Sequence, residues 1–166
     1  MSNIVELRTL IKNTLNDNVV DPYDNGDSVR SGNHFFDESD GLNITRRKSF
    51  PKGFLKQAPG TAPVKQNQGR SGHITNYGTV DIFYLVGERQ NYDNNGITYT
   101  NEDLVSFMLK QTQDTLLNNA VGSDYHLNPS SFGEGDIVKL NSPNGTFKLY
   151  QGVLPVTYYW DETYGI

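Results

Sequence analysis

Gly78-Thr-Val-Asp-Ile-Phe-Tyr-Leu-Val-Gly87 is the stretch on which the reading of the fold turns. Val80, Ile82, Tyr84 and Val86 fall on one side at a period of two, with Phe83 and Leu85 on the other. Only Asp81 interrupts the apolar character of that second side. A short run that is apolar on both faces, rich in β-branched and aromatic residues and closed by glycines, reads as a strand covered on both sides. A buried helix segment is the rival reading, though the run between these two glycines is short for a helix. The rest of the chain is expected to cover this strand, pair with it or project from it.

The 166 residues are enough for one domain around one core. Hydrophobic residues make up 35% of the chain, below the roughly 45–50% of a soluble domain, a figure that also counts glycine. This predicts a modest core with long polar loops, or a subunit that completes its stability by assembling. Ten tyrosines and eight phenylalanines suit the second idea, because aromatic side chains are enriched at interfaces. The absence of cysteine excludes disulfide frameworks, thiolate zinc sites and cysteine nucleophiles. No apolar run reaches the length of a membrane span, and Met1–Val5 is not followed by a signal-peptide core. The expectation is a soluble protein made in the cytosol.

Charge is distributed unevenly. Residues 1–40 hold eight acids against three bases, and residues 81–166 hold eleven against four. Between Gly41 and Val80 there is no acid, while Arg46, Arg47, Lys48, Lys52, Lys56, Lys65 and Arg70 contribute seven positive charges to a chain of net charge −5. This stretch, at about 41–78, is expected to form a basic loop or arm on a single domain spanning 1–166.

Asn3 to about Leu15 reads as a helix, with Ile4, Leu7, Ile11 and Leu15 in a narrow apolar stripe, Asn3 as N-cap and Glu6 completing a box-like arrangement. Asn16 to Gly41 is rich in Asp, Asn, Gly and Ser and reads as turns and loop. It is not a calcium loop: setting Gly26 at the sixth EF-hand position puts Tyr23 at the third and Gly32 at the twelfth. His34-Phe35-Phe36 suits a short pairing strand or an anchor for the loop, Asn43–Gly53 has an extended pattern, and Ala58 to Gly72 reads as a flexible excursion. Asn95-Gly96 marks a turn, with Ile97–Tyr99 as a short return strand. A second helix, capped by Thr100 or Asn101, runs to about Asn118, its stripe formed by Leu104, Val105, Met108, Leu109, Thr112 and Leu116. Gly122–Gly135 reads as loop. Asp136–Asn141 and Thr146–Gln151 flank a Pro143-Asn144-Gly145 hairpin turn, and Gly152–Trp160 continues as a strand with Pro155 marking an edge or bulge. The predicted fold is α+β: a mostly antiparallel sheet with two amphipathic helices packed on one face and long projecting loops.

Catalytic motifs are not evident. His34, His73 and His126 are scattered outside metal-ligand spacings, and no nucleophile elbow, Walker loop or dinucleotide fingerprint occurs. Gly69-Arg-Ser-Gly72 lacks the strand and helix that a phosphate loop needs. The expectation is a protein without catalytic residues, metal or cofactor. The basic residues, by contrast, have the chemistry to dock on an acidic neighbour, including another copy of the chain, or to neutralise nucleic-acid phosphates.

The amphipathic Ile4–Ile11, the extended Ser49–Leu55, Gly78–Val86 entering the sheet, the helix begun by Asn101–Leu109 and the closing strands through Tyr158-Tyr159-Trp160 together resemble the tail-completion or tail-terminator proteins of tailed bacterial and archaeal viruses. The resemblance is one of element order and hydrophobic pattern over most of the chain. It implies a virion protein of the neck, in a ring that is usually a hexamer, capping the tail tube and joining it to the head connector or adaptor. DNA passes through such a ring without sequence-specific contact, no membrane is involved, and assembly takes place in the host cytoplasm. The seven basic residues are then expected at contacts with other subunits or neighbouring virion proteins. Alternatives are another tail or baseplate subunit, or a small nucleic-acid-binding α+β protein that uses residues 46–70.

Overall fold

The computed structural model describes residues 3–22, 34–37, 50–57, 64–67, 73–129, 132, 136–142 and 145–163. Within them the elements run α1 (Ile4–Asn18), β1 (Phe35–Asp37), β2 (Lys52–Gln57), β3 (Val64–Asn67), β4 (His73–Gly87), β5 (Asn91–Asn94), β6 (Ile97–Thr100), α2 (Asn101–Asn118), β7 (His126–Asn128), β8 (Val138–Asn141) and β9 (Lys148–Thr163). The fold is α+β, as the sequence predicts. A seven-stranded sheet has the path β1-β2-β4-β9-β7, with β3 also on β4 and β8 also on β9, and β5-β6 form a separate hairpin. All the pairs are antiparallel except β1 with β2.

The deciding stretch is a strand, but longer and more one-sided than predicted. β4 starts at His73 and pairs with β9 without a break from His73·Thr163 to Gly87·Leu149. Val80, Ile82, Tyr84 and Val86 are buried, whereas Thr79, Asp81, Phe83 and Leu85 on the other side are only half-buried. The reason is that both helices pack on the first side. Leu7, Ile11 and Leu15 of α1 and Leu104, Val105, Met108 and Leu116 of α2 share one core with the buried side of β4, Leu154, Val156, Tyr158 and Trp160.

Two glycines on the helix-covered face set how closely the helices sit. A Cβ at Gly152 would lie 2.6 Å from both Leu109 Cδ1 and Val105 Cγ1, and one at Gly78 would lie 2.7 Å from Ile4 Cδ1. Such distances are too short for carbon atoms, so α2 and α1 rest against bare backbone.

Asn3 caps α1, its Oδ1 accepting the Glu6 N–H at 2.8 Å. The reciprocal arm of the expected capping box is replaced: the Asn3 N–H donates to the Tyr125 hydroxyl at 2.9 Å, and that hydroxyl lies 3.0 Å from Glu6 Oε2. The second helix has the predicted bounds, with Thr100 as N-cap. Asn95 and Gly96 adopt positive φ between β5 and β6, and Gly145 does so beyond β8, as the turn residues require. Pro143 and Asn144 lie outside the described residues, as do most of 16–41, the extended pattern at 43–49 and Gly69–Gly72.

Three expectations change. The loop predicted over 122–135 contains β7, the excursion predicted over 58–72 contains β3, and β9 is central rather than an edge. Short strands such as β3 and β7 carry little pattern of their own and exist because β4 and β9 extend far enough to pair with them. Pro155 keeps its edge character locally. On the side of β9 away from β4, β8 pairs with 148–151 and β7 with 157–159, so the proline falls in the gap, where a missing N–H costs no ladder bond.

The outer edge of β1 is closed by one side chain. Asn16 Oδ1 accepts from the N–H groups of His34 at 3.1 Å and Phe35 at 2.9 Å, and its Nδ2 donates to Phe35 O at 2.9 Å. The amide of Asn16 thus does for Phe35 what a further strand would do. Arg8 and Lys12 reach Asp37 beside it, each at 3.0 Å. Asn16→Ala leaves those backbone groups without their partner and should lower stability by about 1–3 kcal/mol, read from urea unfolding, with Asn16→Asp, which keeps the acceptor alone, falling between the two. An unchanged urea midpoint contradicts this role.

Candidate interaction surface

Strand alternation divides the sheet into two surfaces. Even-numbered residues of β4 and β9 face the helices. Odd-numbered ones, with Lys52, Phe54 and Lys56 of β2, form the opposite face, on which neither helix packs.

This second face mixes rings, hydroxyls and charge. Toward one end, the Tyr77 and Tyr159 rings lie 6.0 Å apart, and His126 of β7 stacks on Tyr159 at 5.1 Å. Next along the ribbon, the hydroxyls of Thr79 and Thr157 hydrogen-bond at 2.8 Å. Lys56 follows, its Nζ 4.6 Å from the Phe83 ring centroid, in the range of a cation–π contact. At the far end Phe50, Phe147 and Leu149 form a small second core against Leu85, with the Phe50 and Phe147 rings 6.0 Å apart.

Asp81 sits directly opposite Lys56 across the β2–β4 pair. Burial pushes its carboxyl above the ordinary value of 3.8, and the Lys56 ammonium pulls it back in part. On the helix-covered side, burial raises the Tyr158 phenol, whose hydroxyl has no hydrogen-bond partner among the described residues. Tyr158 also borders an open cavity of about 460 Å³ between the end of α2 and β7, lined in part by Leu116, Leu117, Tyr125, His126 and Tyr159.

Of the seven basic residues singled out by sequence, two have described side chains. Lys52 is only 2% exposed, its Nζ 4.9 Å from the Phe50 ring centroid and 5.2 Å from that of Phe54. Lys56 is half-buried over Phe83. Both belong to the sheet, which differs from the projecting arm expected of them. The cause is the ring beside each ammonium, on which the aliphatic stem can lie flat. Lys65 is placed on β3, its backbone paired with Asn76. Arg46, Arg47, Lys48 and Arg70 lie outside the described residues. The aromatic and threonine partners of this face were not singled out by sequence; the odd-numbered alternation along 77–85 was the available signal.

Among the described residues, no three His, Cys, Asp or Glu side chains come close enough together to hold a metal ion. No helix among them is long and apolar enough to cross a membrane. No protein-family model and no curated protein matches the chain.

The Asp81 shift has a consequence for stability. A carboxyl whose pKa is higher folded than unfolded costs nothing below the ordinary value of 3.8, where both states hold the proton. Above the raised folded value, ionisation favours the unfolded chain. Asp81→Asn should therefore melt higher than the parent protein at pH 7, with the difference vanishing as pH falls below the ordinary carboxylate value. Thermal unfolding across pH checks this, and an Asn variant less stable at pH 7 would show that the attraction of Lys56 outweighs burial.

Proposed function

We propose that the protein is a structural subunit of the neck of a tailed virus, forming a ring that caps the tail tube and joins it to the head connector. The observation that carries this reading is the one-sided packing of the sheet. Both helices lie on one face, and the other retains Phe54, Phe83, Leu85, Val153, Tyr77 and Tyr159 in half-buried positions along β2, β4 and β9. A face of that composition gains stability when a neighbouring subunit covers it. The order of elements supports the same reading, because the stretches that carry the sequence resemblance fall on α1, β2, β4, α2 and β9 in turn.

In this account the basic stretch gives the assembly its register. Seven positive charges between Gly41 and Val80, in a chain that is otherwise acidic, favour contact between the basic part of one subunit and the acidic surface of the next. DNA traverses the ring without sequence-specific contact.

A second reading is favoured by one specific feature. Tyr77, Tyr159 and Phe83, with Lys56 among them, have the chemistry on which unpaired bases stack while cations meet phosphates. It predicts strongly salt-dependent binding of single-stranded DNA by a monomer.

Negative-stain electron microscopy and mass photometry of the purified protein separate the two, the neck reading requiring rings or a higher oligomer. Reversing charge at three positions (Arg46→Glu, Arg47→Glu, Lys48→Glu) should weaken the oligomer by about tenfold or more, since contacts between opposite charges set register and association. The circular dichroism of the subunit should stay unchanged. An assembly indifferent to the triple reversal removes the docking role of this stretch, and a monomer that binds single-stranded DNA supports the second reading instead.

A further inference from the structure

Two outer strands of the sheet, β1 and β8, end it differently. At β1 the backbone groups of Phe35 are taken up by Asn16. On the other side, β8 lies outside β9 residues 148–151, and Val138, Lys139, Leu140 and Asn141 are all exposed. Val138 is 46% and Leu140 36% exposed. These two apolar side chains stand on the same face as Leu149 and Val153, at a strand edge, where other chains are most readily recruited.

The ladder fixes which backbone groups this edge offers. Ser142 N donates to Phe147 O at 2.9 Å, so that facing pair is hydrogen-bonded. Antiparallel ladders alternate, so Leu140 also exchanges its bonds with Leu149. Lys139 and Asn141 therefore turn their N–H and C=O outward, away from β9.

We propose that a second copy of this chain pairs with this edge, β8 against β8 and antiparallel, about a two-fold axis passing through Leu140. The closed β1 edge leaves no place there for the β8 of a neighbour, whereas β8 is complementary to itself. Outward-facing residues must meet outward-facing residues, and pairing three residues of β8 with three of its copy restricts the axis to Lys139 or Leu140. An axis at Lys139 sets two ammonium groups opposite each other, which is destabilising. The axis at Leu140 avoids this. It puts Lys139 opposite Asn141 of the second copy, Leu140 against Leu140, and Val138 beside Ser142. The sheet then continues through both copies with the helices on one side. The contact is independent of the ring proposed above: a two-fold interface closes after two copies, so it belongs to the free subunit.

Cysteine trapping tests the register directly, because the chain has no cysteine of its own. In the proposed pairing, the two Leu140 positions form a non-hydrogen-bonded pair with Cα atoms about 4.5 Å apart, within disulfide reach. Under mild oxidation, Leu140→Cys should run as a covalent dimer on non-reducing gels, whereas Lys139→Cys, displaced along the strand from its counterpart, should not. In sedimentation velocity, Leu140→Lys should raise the dimer dissociation constant about tenfold or more, a change of one decade or greater in affinity. Its circular dichroism should match that of the parent protein, since the side chain is exposed. Absence of cross-linking through Leu140→Cys, cross-linking through Lys139→Cys instead, a parent protein monomeric throughout, or a Leu140→Lys variant that dimerises equally well each overturns the proposal. Ring formation by these variants is scored separately by electron microscopy, so failure of the dimer and failure of the neck reading are distinct results.

Discussion

The continuous pairing of β4 with β9, from His73·Thr163 to Gly87·Leu149, is the constraint on which the rest of the molecule depends. Fifteen residues of strand extend roughly 50 Å at 3.3–3.4 Å per residue, so this two-stranded ribbon defines the long dimension of the sheet. Its register is fixed by what it buries. A slip of one residue in β4 would turn Val80, Ile82, Tyr84 and Val86 away from the helices and bring Asp81 toward them. The helices supply the energetic reason for the observed register, and the ribbon supplies the surface on which they lie. Gly78 and Gly152, one on each strand, let both come down to the backbone.

From that ribbon follows the division of labour between the two faces. The helix-covered face carries the main apolar core. The opposite face keeps threonines in hydrogen-bonded contact, lysines over phenylalanine rings and a carboxyl held in an unfavourable setting. A carboxylate that burial disfavours is a cost to the isolated subunit, one that a partner able to donate to it can offset. Two of the outer strands obey a similar logic: β1 is closed at Phe35 by the amide of Asn16, and β8 presents apolar side chains and outward backbone groups.

Much of the fold was legible in the sequence because its strongest signals are local. The helix stripes, the period-two run at 80–86 and the turn residues Asn95, Gly96 and Gly145 each carry their own physical signature. What was not legible depends on partners distant in sequence. Strand β7 exists because β9 runs on past Val156 to meet it, and β3 because β4 begins at His73, before the run that marks its core. A single asparagine near the end of α1 does not announce that it will close a strand edge nineteen residues away. The candidate surface was legible in part: Lys52 and Lys56 stood out by charge, but their places over aromatic rings follow from the β2–β4 pairing, which the sequence does not print.

Native-state hydrogen exchange at single-residue resolution tests the central claim most directly. If the ribbon is the element on which the others depend, the paired amides of Val80–Tyr84 and of Leu154, Val156 and Tyr158 should exchange last, only through global unfolding, while those of α1 and β1 open earlier. Helices that outlast the ribbon, with β4 and β9 exchanging by local opening, would contradict the account.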